Sequence, residues 1–267
     1  MIEIEIDGQK VETRPGTTIL AVARSVGVDI PTLCHHEALE PYGACRLCLV
    51  ELSEAGRQSI VAACNYPLER SGLTVETDTP AVRQARKMSL QLLLARCPTV
   101  TVLQELAREW EVDPADLLII GDGEEKCILC GLCVRVCREV IGKNVISFAY
   151  RGVERRVSTP FDRESDLCLG CTACAFVCPT GAIKVDEAKG RLLIAPWHSN
   201  LEQARCSSCG RPVAPVGMLA HLSEKLEQEP ETGTLLCSRC RRLQAAAAAA
   251  ALPEVRFVDR YRDYPGR

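Results

Sequence analysis

The chain has 267 residues, 47% hydrophobic but only 4% aromatic, with a formal net charge of -3 and 17 cysteines. The faintly acidic balance leaves no electrostatic footprint for nucleic acid, and no apolar run approaches the length of a membrane span. So few aromatics beside so many thiols point to several small modules organised by metal rather than one large apolar core.

Met1 leads straight into IEIEI, with no charged leader, apolar run or cleavage site. That predicts a cytoplasmic, reducing setting, in which clustered cysteines are metal ligands rather than disulfides. Ile2, Ile4 and Ile6 alternate with acids, Asp7-Gly8 supplies a hairpin turn, and Val11-Glu12-Thr13 returns. Thr17 is placed to cap a short helix that buries Ile19, Leu20, Ala23 and Val26 and stops at Gly27. Strand-like runs follow at Leu47 to Leu52, Ile60 to Ala63 and Leu73 to Glu76. Hairpin, helix and further strands make a β-grasp order over residues 1–78.

From Thr79 the period changes. Thr79 as cap, Pro80 at the first helical position, and Val82, Ala85, Met88, Leu92 and Ala95 on one face predict a helix. A second helical run, Val102 to Trp110, precedes a turn at Asp113-Pro114, so residues 79–121 form a helical linker.

Four cysteine groups punctuate the chain. The first is Cys34, Cys45, Cys48 and Cys64, a loop-borne C-x2-C with two flanking thiols, which suits a [2Fe–2S] cluster at the edge of a small domain. Gly43, just before the pair, would let the backbone approach inorganic sulfur closely. The second and third groups repeat one spacing, C-x2-C-x2-C-x3-C: Cys127, Cys130, Cys133 and Cys137, then Cys168, Cys171, Cys174 and Cys178 followed by Pro179. In two-cluster ferredoxins the fourth cysteine of each run ligates the other cubane. The assignment is therefore Cys127, Cys130, Cys133 and Cys178 to one [4Fe–4S] cluster, and Cys168, Cys171, Cys174 and Cys137 to its neighbour. Arg138 stands where the later run has Pro179, and the long gap from Cys137 to Cys168 predicts an inserted hairpin around Val145 to Val157.

The fourth group, Cys206, Cys209, Cys237 and Cys240, is two C-x2-C pairs around a helix bearing Leu219, Leu222 and Leu226. It suits a tetrahedral structural Zn²⁺, with a further iron–sulfur cluster as the alternative. The fold class is thus α+β: a β-grasp [2Fe–2S] ferredoxin-like domain (1–78), the linker, a two-[4Fe–4S] ferredoxin-like domain (122–195), a small zinc-ribbon-like module (196–243) and a helical or flexible tail (244–267). In that tail the alanine run begins a helix, and VRFVDRYRDYPGR carries aromatic and arginine residues suited to packing on another subunit.

PYGACRLCLVEL with Cys34, ACNYP, the helix ending LLLARCP, LQELA and the double cubane run together resemble the N-terminal iron–sulfur region of the large peripheral-arm subunit of respiratory complex I. They resemble still more closely the small diaphorase subunit of soluble NAD-linked hydrogenases and the related subunits of NAD-linked formate dehydrogenases and electron-bifurcating hydrogenases. The resemblance spans about residues 1 to 195. Family members often carry a His followed by three Cys after the LLLA helix, holding one more [4Fe–4S] cluster. Here Cys97 takes the His place and no cysteine lies between it and Cys127, so that cluster is expected to be absent and Cys97 to be a buried, unligated thiol.

There is no dinucleotide fingerprint, no P-loop and no acid–base constellation. Flavin and NAD(P) are then expected on a partner subunit, with this chain relaying single electrons toward a hydrogenase or dehydrogenase catalytic subunit and carrying no substrate site of its own. A cluster-stabilised structural scaffold is the rival reading. Lys126, Arg135, Arg138 and Lys143 surround the second cysteine group, which would give the nearer cubane the higher potential; solvated or partner-docking charge is the alternative.

Overall fold

The structure, a computed structural model, describes residues 1–113, 118–120, 123–227 and 235–250. Pro114 of the expected turn and the aromatic, arginine-rich end of the chain lie outside these residues. The chain divides into two compact units, Met1–Asp186 with Leu193–Ser199, and Glu187–Leu192 with Asn200–Arg267.

The first unit begins with β1 (Ile2–Ile6) and β2 (Gln9–Thr13), joined by a two-residue turn in which Asp7 and Gly8 both have positive φ. That geometry matches the twist of the paired strands and selects Asp-Gly. The helix α1 (Ile19–Ser25) follows, then β3 (Leu49–Glu54), β4 (Arg57–Ala62) and β5 (Leu73–Glu76). The five strands pair in the order β2-β1-β5-β3-β4, with β1 and β5 parallel and the other neighbours antiparallel, which is the β-grasp arrangement. Ile2, Ile4 and Ile6 bury the same face as Val50, Leu52 and Val75, and α1 adds Ile19, Leu20, Val22 and Ala23 to that core. The cap is Thr18, whose Oγ1 accepts the Ala21 amide at 3.3 Å, and not Thr17. Pairing with Leu68, whose amide donates to the Thr17 carbonyl at 2.9 Å, and with Pro67 keeps the chain extended through Thr18, so the helix begins one residue later.

Two helices follow, α2 (Pro80–Arg96), capped by Thr79 with Pro80 in its first turn, and α3 (Thr101–Glu109). The buried stripe of α2 is Val82, Leu90, Leu94 and Ala95, while Met88 and Leu92 of the expected face are 57% and 67% exposed. The stripe runs in steps of four through Arg86, whose Nε donates to the Leu49 carbonyl at 2.9 Å. An apolar count cannot include an arginine, which is why the face read from hydrophobicity alone is rotated.

The short helices α4 (Leu132–Arg135) and, after β6 (Ser147–Ala149) and β7 (Arg156–Ser158), α5 (Ala173–Phe176) each carry one cysteine motif. A π-helical turn, Val136–Val140, extends α4 past Cys137. The β6–β7 hairpin is the insertion expected between the two motifs.

The second unit rests on a four-stranded sheet that adds β8 (Val185–Ala188), β9 (Arg191–Ile194), β10 (Ser199–Arg205) and β11 (Pro212–Pro215) in the order β11-β10-β9-β8. It continues with α6 (Val216–Leu226) and α7 (Ser238–Ala250). Neither helix has a fully buried residue, so apolar packing contributes little to holding them. Among the described residues, no helix is long and apolar enough to cross a membrane.

Candidate metal centres

All 17 cysteines are free of disulfides. Cys34, Cys45, Cys48 and Cys64 are all buried and converge from the loop after α1, the loop before β3 and the end of β4. The Cys45 amide donates to Cys34 Sγ at 3.4 Å. Hydrogen bonds from the Cys45 and Cys64 thiols hold the Cys34 thiol far below the ordinary range, and the two donors are pushed up in return. The Cys64 thiol likewise draws Cys48 down to about 7. The sulfurs are linked in a chain, Cys45 to Cys34 to Cys64 to Cys48, an all-sulfur donor set that fits a two-iron core.

Gly43 has φ +72, and a methyl group there would come 2.8 Å from Asn65 Nδ2, so the space a side chain would need is taken by Asn65. Gly43→Ala should therefore displace the neighbour of Cys64 and cost about 1–2 kcal/mol in left-handed strain alone. The expected result is a lower melting temperature with a weaker visible spectrum of the two-iron centre, read by thermal unfolding and absorbance. A lowered melt with an unchanged spectrum would mean that Asn65 simply moves aside and only the backbone strain remains.

The cubane motifs interleave. A cavity of about 360 Å³ is walled by Cys127, Cys130, Cys133 and, from the later run, Cys178. A narrower one is walled by Cys168, Cys171 and Cys174 together with Cys137 of the earlier run. Cys133 on helix α4 lines one cavity, and Cys137, on the i→i+5 π-helical turn that follows, lines the other. Burial pushes up the thiols of Cys127 and Cys133, that of Cys130 to about 12, and that of Cys174 to about 11. As bare thiols they are neutral and inert; a cationic iron core is what makes such buried sulfurs thiolates, so both donor sets fit a [4Fe–4S] core. Cys97 is fully buried among Leu90, Leu94 and Leu103, and burial raises its thiol to about 12.

Three arginines hold the cluster loops by their carbonyls, and cysteine spacing gives no hint of them. Arg86 binds Leu49 beside Cys48. Arg96 donates from Nε to the Cys127 carbonyl at 2.9 Å and pairs with Glu125, whose Oε1 accepts the Cys127 amide at 2.8 Å. Arg135, buried between Cys133 and Cys137, turns toward the first group: Nη2 donates to the Cys34 carbonyl at 3.0 Å, Nη1 to the Glu40 carbonyl, and the guanidinium lies 5.2 Å from the Tyr42 ring centroid. Lys126 and Arg138 of the same basic run face solvent.

Sequence reasoning also passed over Trp197, one of two tryptophans in the chain. It is buried, walls both cubane cavities, and its Nε1 lies 3.4 Å from Cys174 Sγ. A large aromatic with one donor, placed just after Pro196, was the available signal.

In the second unit, the ligand atoms of Cys206, Cys209, Cys237 and Cys240 all lie within 4.8 Å of one another. Cys206 and Cys209 form the knuckle between β10 and β11, closed by Gly210 at φ +70, and Cys237 and Cys240 sit at the start of α7. Cys209 Sγ and Cys237 Sγ are 3.7 Å apart. A tetrahedron with metal–sulfur bonds of about 2.3 Å has edges of about 3.8 Å, so the set fits one ion. The Cys237, Cys209 and Ser208 amides draw the Cys206 thiol down to about 6, toward the ligating thiolate.

Comparison with known proteins agrees with this layout. Residues 1–80 match the family described as 2Fe-2S iron-sulfur cluster binding domain, and residues 126–182 match the 4Fe-4S dicluster domain. The chain is 30% identical to an NADH-quinone oxidoreductase subunit of Rhizobium meliloti (strain 1021), over 79% of this chain and 27% of that protein. It is 29% identical to NADPH-Fe(3+) oxidoreductase subunit alpha of Geobacter sulfurreducens (strain DL-1 / KN400), over 78% of this chain and 27% of that one. It thus spans about a quarter of the length of these relatives. Among solved structures, a chain from an NAD+-reducing [NiFe]-hydrogenase in the H2-reduced state superposes with a TM-score of 0.52 at 28% identity, covering 59% of this chain and 74% of that chain.

Proposed function

We propose that this chain, an iron–sulfur protein with a 2Fe-2S domain and a 4Fe-4S dicluster domain and a relative of an NADH-quinone oxidoreductase subunit and of an NAD-reducing hydrogenase subunit, is an electron-transfer subunit. It relays electrons between a flavin- and NAD(P)H-binding subunit and a hydrogenase catalytic module in a cytoplasmic complex. The carrying observation is that three thiol quartets follow one another within a single compact unit: Cys34, Cys45 and Cys130 share one buried cluster, and Trp197 walls both cubane cavities. Bound there, the clusters supply one-electron carriage; the protein's part is to hold them in sequence and dry.

In this reading Cys34, Cys45, Cys48 and Cys64 hold the [2Fe–2S] cluster, Cys127, Cys130, Cys133 and Cys178 one cubane, and Cys137, Cys168, Cys171 and Cys174 the other. The ribbon-like module at Cys206, Cys209, Cys237 and Cys240 holds zinc. Support for zinc is the tightness of that quartet, since a cubane spreads its thiolates over four separate irons. A reducing compartment is where this many unpaired thiols persist as ligands.

Metal analysis of the anaerobically purified full chain should find about ten iron atoms per copy and about one zinc. In the native complex, NADH should then reduce the clusters, seen by EPR. A folded, iron-free chain would sink the reading, and clusters reduced by dithionite but never by NADH in the complex would make them scaffolding.

A further inference from the structure

Trp197 sits where the two cubane cavities meet, in the helical turn Ala195–Trp197 that follows β9. The turn is tied down by the Ala195 amide, which donates to the Lys184 carbonyl at 3.1 Å, and closed by His198, whose amide donates to the Ala195 carbonyl at 3.3 Å. The ring is 3% exposed and packs with Val134, Ile146, Ile183 and Ile194, so it has no freedom to reorient. Its indole N–H has one partner, Cys174 Sγ, at 3.4 Å.

We infer that Trp197 is a redox-positioning residue: its N–H···S hydrogen bond raises the potential of the cubane held by Cys137, Cys168, Cys171 and Cys174 above that of its neighbour, making that cubane the resting place of an electron shared by the pair. The inference rests on the cluster assignment above. The physical reason is charge. Adding an electron makes the cluster and its thiolates more negative, and a fixed donor dipole aimed at a ligating sulfur stabilises that reduced form more than the oxidised one. The same quartet also receives the Val145 amide, 3.3 Å from Cys137 Sγ. Backbone amides serve both quartets alike, Leu129 and Leu132 at Cys127 and Cys130, Ala173 and Ala175 at Cys171 and Cys174; the neighbouring quartet's side-chain contact is the Thr180 hydroxyl, 3.5 Å from Cys178 Sγ, a rotor that can donate or accept. This ordering opposes the one suggested by the basic run around Cys127 to Lys143, whose buried member, Arg135, is spent on carbonyls of the first group.

The test is an EPR-monitored redox titration of the full chain carrying Trp197→Phe, and of a second variant in which Trp197 is replaced by benzothienylalanine, the same ring with sulfur in place of N–H. Iron content and the two cubane signals first establish that both clusters are present; their loss from the unsubstituted protein would condemn the assignment itself, not the role of Trp197. With both clusters loaded, the expected result is that one cubane midpoint moves to a more negative potential by the same amount in both variants, while the other stays put. An exchangeable deuteron coupled to the moved cluster in deuterated buffer should vanish with it. An unmoved midpoint in the loaded isosteric variant, or equal movement of both midpoints, overturns the inference. A shift in Trp197→Phe alone would assign the effect to ring shape and water exclusion, and overturns it equally.

Discussion

Replacing Cys178 with alanine should empty the iron site built from Cys127, Cys130 and Cys133, far upstream, and leave its own sequence neighbours Cys168, Cys171 and Cys174 loaded. Replacing Cys137 should do the reverse. The cause is the crossing of chains at the two cavities, where each run of three cysteines is completed by the fourth of the other. Each variant should lose about four irons per chain and one of the two cubane EPR signals. The signal lost should be that which disappears in Cys130→Ala for the first variant, and in Cys171→Ala for the second. If each run instead built its own cluster, Cys178→Ala would share the phenotype of Cys171→Ala, and the crossed arrangement would be wrong. The crossing also has a mechanical consequence. Neither motif can complete its donor set before the other is folded alongside it, so each site needs both runs of chain in place but not the other site's iron.

How the sequence announces these features depends on the kind of physics involved. Period and spacing are local, and they were legible: the alternating β1, the Asp-Gly turn, the Thr79-Pro80 start of α2 and the inserted hairpin all lie where pattern places them. Cysteines grouped by spacing line shared cavities in the fold, with the two long runs exchanging their fourth members. What stayed hidden is tertiary. Thr18 caps α1 because pairing with Pro67 and Leu68, a long way along the chain, holds the backbone extended through Thr18. The buried face of α2 runs through Arg86, a residue that hydropathy assigns to water, because a carbonyl beside Cys48 needs a donor there. Gly43, read for its close approach to inorganic sulfur, also makes room for Asn65, which the sequence does not announce. In each case a polar partner distant in sequence decides the local structure.

Arg135 is the strongest instance of such a partner, and its removal should be felt twice. It grows from α4, among the cubane ligands, yet it grips the loop of the first group through the carbonyls of Cys34 and Glu40, while Glu139 on the same segment accepts the Glu40 amide at 3.3 Å. Arg135→Leu leaves those two carbonyls without their charged donor. A hydrogen bond to a charged group contributes about 1.5–3 kcal/mol, so the pair should cost roughly 3–5 kcal/mol, part of it returned by no longer burying the guanidinium. For a chain of this size that is a fall in melting temperature on the order of 10 °C. The second effect is electrostatic: a buried positive charge beside Cys34 favours the reduced two-iron cluster, so its midpoint should drop in Arg135→Leu. Arg135→Lys separates the two effects. The ammonium keeps the charge but cannot fork to both carbonyls, so the midpoint should stay near that of the unsubstituted protein while part of the stability is still lost. A two-iron midpoint that drops equally in both variants would mean that loop geometry, not charge, sets it. An unchanged melt in Arg135→Leu would mean that the bridge between the two cluster regions is held by apolar contacts alone.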